Sequence, residues 1–209
     1  MSNASEPLGL HAALWATLRA MRADLRLYAI FDGARRSPDV YEAIQASRLP
    51  AEPLIGKQIA TALLRVSPWL VELPRQSAHP RGLLERFYGQ SACVFFCAPA
   101  ELPMSRLALQ LKRIVRVQVE GGDRYLFRYF DPRVLRAFLP TCSGSQWEQI
   151  RGAIEVFFAE SEDPAVLIRF ADDNGLPRGE EIPLTTSDPS DPSTSPDTHA
   201  TRDGAVSCR

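Results

Sequence analysis

Two short runs without a polar residue, Leu27-Tyr28-Ala29-Ile30-Phe31 and Ala92-Cys93-Val94-Phe95-Phe96-Cys97, constrain the fold more than anything else in the chain. A strand with one wet face alternates apolar and polar residues, whereas an unbroken apolar run of this length reads as a strand covered on both faces. These two runs are therefore expected to be central strands, with helices packed above and below them. At 209 residues and 45% hydrophobic content the chain has the material for such a core. The expected fold class is α/β, a single layered domain with a mixed sheet flanked by helices.

Helical periodicity supplies the covering layers. From Leu10 to Leu25, the residues Leu14, Leu18, Met21 and Leu25 recur at three- and four-residue spacing and leave Arg19 and Arg22 on the wet side. Ser37-Pro38 opens a helix through about Ser47, with Ser37 as its cap and Pro38 in its first turn. Arg81 to Tyr88 is helical, and Leu102 to Arg113 carries Leu107, Leu111 and Ile114 along one stripe. Ile59–Leu64 and Trp69–Leu73, separated by Ser67-Pro68, read as short strands or as one broken strand. Val115, Val117 and Val119 alternate with polar residues and turn at Glu120-Gly121-Gly122-Asp123 into Tyr125–Phe130. Pairing Val119 with Arg124 sets Val117 opposite Leu126 and Val115 opposite Arg128, and puts Arg128 on the apolar face. Asp131 caps a helix from Pro132 to Leu139, which Pro140 stops. A further helix around Trp147 and Ile150 precedes a hairpin of Ile154–Ala159 with Val166–Phe170.

Composition changes near the end. From Asp173 onward Asp, Pro, Ser, Thr and Gly dominate, too little apolar surface to offset the entropy of ordering. The expected organisation is a flexible 1–9, a folded domain over 10–172 and a disordered polar tail over 173–209. No apolar stretch approaches the length of a membrane span and the N-terminus lacks the order of a secretory signal, so a cytoplasmic protein without a membrane partner is expected. The charges nearly cancel, 24 Lys plus Arg against 25 Asp plus Glu, which removes the long-range field that nucleic-acid binding relies on.

The residues that carry chemistry are few. Asp32 and Asp131 follow predicted strands, where α/β folds place ligands, and Arg35, Arg128 and Arg133 lie close to them in sequence. A hydrolase or phosphate-binding enzyme would use these two aspartates. Their structural reading is that Asp131 caps a helix and Asp32-Gly33 ends a strand. Arg128, placed against apolar strands, requires a carboxylate, with Asp32 the first choice and Asp131 the second. The scattered His11, His79 and His199 form no triad, the chain has no phosphate loop, and Cys93 and Cys97 share one strand face among apolar neighbours that raise a thiol's pKa. No catalytic residue, metal or cofactor is expected.

Three blocks in order, Leu27-Tyr28-Ala29-Ile30-Phe31-Asp32-Gly33-Ala34-Arg35, Ser67-Pro68-Trp69-Leu70-Val71 and Phe127-Arg128-Tyr129-Phe130-Asp131-Pro132-Arg133-Val134-Leu135 with Leu139-Pro140, resemble the conserved domain of type VI secretion effector chaperones, also called adaptors. The resemblance covers roughly residues 26–154. It implies a non-enzymatic protein that binds a toxic effector in the bacterial cytoplasm and loads it onto the VgrG spike. Asp32, Arg35, Trp69, Arg128, Asp131 and Arg133 are then structural or partner-binding candidates. An immunity protein that neutralises a toxin is a further class compatible with the residues.

Overall fold

A computed structural model describes residues 9–55, 60–75, 79–118 and 124–185. In chain order the elements are α1 (Leu10–Met21), β1 (Leu25–Asp32), α2 (Asp39–Ser47), β2 (Ala51–Pro53), α3 (Thr61–Val66), β3 (Pro68–Glu72), α4 (His79–Phe87), β4 (Cys93–Pro99) and α5 (Met104–Ile114). They continue as β5 (Arg116–Gln118), β6 (Arg124–Leu126), α6 (Pro132–Phe138), a 3-10 turn (Leu139–Thr141), α7 (Gly144–Arg151), β7 (Val156–Glu160), β8 (Val166–Asp173) and β9 (Leu176–Pro183).

The two apolar runs are neighbours at the centre of a seven-stranded sheet of order β2-β3-β1-β4-β7-β8-β9. Alternation along its strands sends side chains into two cores. Leu27, Ala29, Phe31, Phe95 and Phe158 face one cluster with Leu14 and Leu18 of α1, Val40 and Ile44 of α2, and Leu84 and Phe87 of α4. Tyr28, Ile30, Phe96 and Phe157 face the other, with Leu107 and Leu111 of α5, Leu135 of α6 and Trp147 of α7. Both faces of the two apolar runs within β1 and β4 are dry because helices cover both sides, as their lack of polar residues requires. The layered α/β domain is thus present. Every strand pairing is antiparallel where a mixed sheet is expected, because dryness on both faces reports the helical layers and not the strand direction.

Several local expectations change. Helix α1 stops at Met21 and Leu25 instead opens β1, pairing with Pro99. Helix α2 begins one residue later than expected, with Pro38 at the N-cap and no side-chain cap from Ser37. The segment read as a strand over Ile59–Leu64 falls from Thr61 onward on helix α3; a short apolar run has no period that separates the two states, and Ile59 itself lies outside the described residues. The strand beside β3 is β2, whose Pro53 is tolerated because β2 is an edge. In the small hairpin, Arg116 pairs with Leu126 and Gln118 with Arg124, one residue out of the expected register. The connection takes residues 119–123 and not 120–123; its Gly-Gly turn and Val119 lie outside the described residues, and the length of that turn sets the register.

The largest correction is at the C-terminal boundary. Asp173 does not begin a structureless tail: β8 runs through it, the chain turns at Asn174 and Gly175, both at positive φ, and β9 returns along β8 to a buried Leu184. The strand is polar because it is the outer edge of the sheet, so composition alone resembles a tail. Residues 186–209 lie outside the described residues. Among the described residues, no helix is long and apolar enough to cross a membrane.

Candidate functional site

The end of β1, the start of β4 and the end of β7 meet at one margin of the sheet, where the Asp32 N–H donates to the Ala92 carbonyl at 2.8 Å. Behind Asp32 the chain turns sharply against the loop before β3. A Cβ on Gly33 would stand 2.4 Å from the Ser67 carbonyl oxygen, so only glycine permits this approach. Asp32 is 1% exposed; its Oδ1 accepts the Ala34 N–H at 3.1 Å and its Oδ2 accepts Nη2 of Arg128. That pairing is the one expected from the residues.

The burial of Arg128 is not. Its side chain is 40% exposed, because the residue lies beyond the hairpin in a turn closed by the Asp131 N–H on the Arg128 carbonyl at 2.9 Å. The guanidinium leans over the Phe130 ring at 5.8 Å, so its stem is packed while its charge remains partly wet.

Asp131 caps α6 as its spacing from Pro132 suggests: Oδ1 accepts the Arg133 N–H at 3.0 Å, and the Arg133 guanidinium closes a fork through Nε at 3.0 Å and Nη2 at 2.6 Å. Burial pushes the Asp131 carboxyl up, but the hydrogen bonds from Arg133, then its charge and that of Arg128, outweigh burial and hold it below the usual carboxylate range. The two ion pairs are thus adjacent and reinforce each other electrostatically. Arg133 is held above its ordinary value by its hydrogen bond to Asp131 and, more weakly, by the charge of Asp32.

Arg35 is exposed at the rim, where it lines a surface depression with Arg36, Gly89, Gln90 and Ser91. Trp69 is not part of this margin. It is buried on the opposite face of the sheet, donates its Nε1–H to the Leu64 carbonyl at 3.0 Å and packs against Tyr41. Of the six candidates the structure therefore gathers Asp32, Arg128, Asp131 and Arg133 into one cluster, sets Arg35 on its rim and assigns Trp69 to the core.

Sequence reasoning missed Glu160, which ends β7 in the same margin. It is 3% exposed, accepts the Ser91 N–H at 2.9 Å and faces the Cys93 thiol, while Arg136 of α6 donates to its backbone carbonyl. Burial pushes its carboxyl up to about 7, against the smaller opposing pull of the Ser91 N–H, the Cys93 thiol, the Gly89 N–H and the Arg136 charge. The signal was legible: an acid closes a strand, Val156–Glu160, that is otherwise apolar and buried at every position. Cys93 and Cys97 are held in the thiol form in this setting. Burial, then the Glu160 charge, pushes Cys93 far up, and burial pushes Cys97 up to about 12. Among the described residues, no three His, Cys, Asp or Glu side chains gather as a metal-ligand set.

No curated protein and no solved structure matches the chain significantly. A family model does match, over residues 27–149, a span that contains β1 from Leu27 onward, the Ser67–Val71 block and the whole of α6. The chain belongs to the family described as Domain of unknown function (DUF4123).

Proposed function

We propose that this protein is a non-enzymatic adaptor that binds a type VI secretion effector and delivers it to a VgrG spike. Family membership and the three motif blocks that resemble effector chaperones support the reading. The observation that carries it is the engagement of both candidate acids. Asp131 spends its oxygens on three hydrogen bonds from Arg133, and Asp32 is held by Arg128 and the Ala34 N–H. A general acid, a general base or a metal ligand needs lone pairs free to face a substrate, whereas Asp131 is engaged in capping α6 and Asp32 in its own turn and in tying β1 to the turn before α6. The margin is therefore a rigid, charged surface, suited to positioning a partner.

The test is secretion in the native bacterium. Deleting the gene is expected to abolish secretion of one effector while others continue, and affinity purification is expected to recover that effector together with a VgrG spike. Unchanged secretion of every effector would overturn the reading. Hydrolytic turnover abolished by Asp32→Asn in a protein that still folds would assign an enzyme instead.

A further inference from the structure

Helix α6 has both of its polar side chains engaged within the protein. Arg133 is bound through Nε and Nη2 to Asp131, and Arg136, 16% exposed, donates to the Glu160 carbonyl. Pro132 and Leu135 are buried. What remains outward is Val134, Ala137 and Phe138, at the three- and four-residue spacing of one helical face, with Ala137 exposed and the other two half-buried. A surface helix ordinarily turns a polar face to solvent, and one that is apolar all round is covered.

This face lines an open depression of about 570 Å³ together with Phe127. The Phe127 and Phe138 rings meet edge to face at 4.7 Å, and Phe127 packs at 6.1 Å against the buried Tyr129. The aromatic groups are thus already fixed, and the depression does not have to form on binding.

The exposed charge at the start of α6 has one sign. In the Arg133–Asp131 and Arg128–Asp32 pairs the carboxylate side chains are 4% and 1% exposed, whereas the arginine side chains are 50% and 40% exposed. Each pair is neutral in sum, yet a partner meets its cationic half. Among the described residues Arg133 Nη1 donates no hydrogen bond, so it can take a carboxylate without releasing Asp131. A second copy of the chain would bring the same arginines across a twofold axis and be repelled.

We propose that the outer face of α6, with Phe127, is the surface that holds the effector, and that it takes an amphipathic helix of that protein. Apolar side chains three or four residues apart seat against Phe127, Ala137 and Phe138, and an Asp or Glu beside them meets Arg133. Helix α6 spans roughly 10 Å, which matches about two turns of the partner. This inference rests on the adaptor reading and adds to it the place and the chemistry of the contact.

The probe is the effector whose secretion stops when the gene is deleted. In the full chain, Ala137→Glu sets a carboxylate on this face and is expected to weaken binding of that purified effector by about tenfold or more, with the thermal midpoint unchanged because position 137 is exposed. Leu176→Glu, on an exposed apolar residue beside the β8–β9 turn, is expected to leave the affinity unchanged. A photocrosslinking residue at position 137 should join, in the native bacterium, to an amphipathic, acid-bearing helix of the same effector. Undiminished affinity of Ala137→Glu, or an equal loss in Leu176→Glu, would overturn the surface and leave the adaptor reading standing. A crosslink to the spike, to a second copy or to residues 186–209 of the same chain would overturn the occupant. If no effector depends on the gene for secretion, the adaptor reading falls and this inference with it.

Discussion

Asp131 and Glu160 lie on the same margin of the sheet and are each 3% exposed, yet their carboxyls are displaced in opposite directions. Burial favours the neutral form of both, and more strongly at Glu160, which lies deeper. The partners widen the difference. Asp131 faces a guanidinium fork that is charged and planar, whereas the oxygens of Glu160 meet an amide and a thiol, and the nearby Arg136 spends one of its nitrogens on the Glu160 backbone carbonyl. Neutral donors satisfy the geometry of a carboxylate without compensating its charge. Burial therefore says little about a carboxyl's protonation until its partners are known.

The matched side of this contrast is broken most severely at Arg128. Arg128→Ala leaves Asp32 buried with the Ala34 N–H as its remaining donor, at a cost of about 3 kcal/mol, the lower end of the range for an orphaned buried charge because the turn around Arg128 is partly wet. Urea unfolding should show the midpoint fall with an unchanged slope. A loss no larger than that of an exposed ion pair would remove Asp32 from the matched class.

Glu160→Gln tests the unmatched side with the opposite sign. The folded carboxyl titrates near 7, above its ordinary 4.5, so its contribution is complete below the ordinary value and is lost as pH rises through about 7. Between those limits the loss is on the order of 3 kcal/mol. The glutamine keeps an acceptor for the Ser91 N–H and does not ionise. Its stability relative to wild type should therefore grow with pH and level off above pH 7. A difference that does not vary between pH 5 and 8 would show that Glu160 is already charged in the folded protein.

Asp131→Asn is the mildest of the three. Asparagine still caps α6, and the pair it gives up involves an Arg133 that is half exposed, so a loss of about 1 kcal/mol is expected at neutral pH. The folded carboxyl titrates below its ordinary value of 3.8, so its contribution is present above that value and lost as pH falls through the folded one. The deficit of the variant should accordingly shrink on acidification, the reverse of Glu160→Gln. Thermal melts across acid pH measure it, and a deficit as large as that of Arg128→Ala would erase the distinction between a wet and a dry partner.

Much of this margin was legible without coordinates. Asp131 before Pro132 is a helix start by local chemistry alone, since the cap and the missing proline donor act within one turn. The two apolar runs specified central strands, because a residue with no polar neighbour on either side has no wet face to offer. That Asp32 would meet Arg128 followed from cost: a charge beside those runs needs an opposite one, and few were available. What the residues could not convey was anything decided over distance. The register of the small hairpin depended on the length of its turn, and its second strand ended at Leu126, which left Arg128 in the following turn, half-wet, and not on the expected dry face. The strand β9 is polar enough to resemble a tail, and it is ordered because β8 supplies a partner for its backbone, which composition does not record. Glu160 joined the site only when β7 was laid beside β4, bringing a carboxyl to the Ser91 amide 69 residues away in the chain. Local sequence thus determined caps, breaks and the dry strands through forces that act within a turn. The pairing of strands, and with it the partner of Asp32 and the protonation of Glu160, was left to tertiary structure, because both depend on which distant groups replace the water each residue has lost.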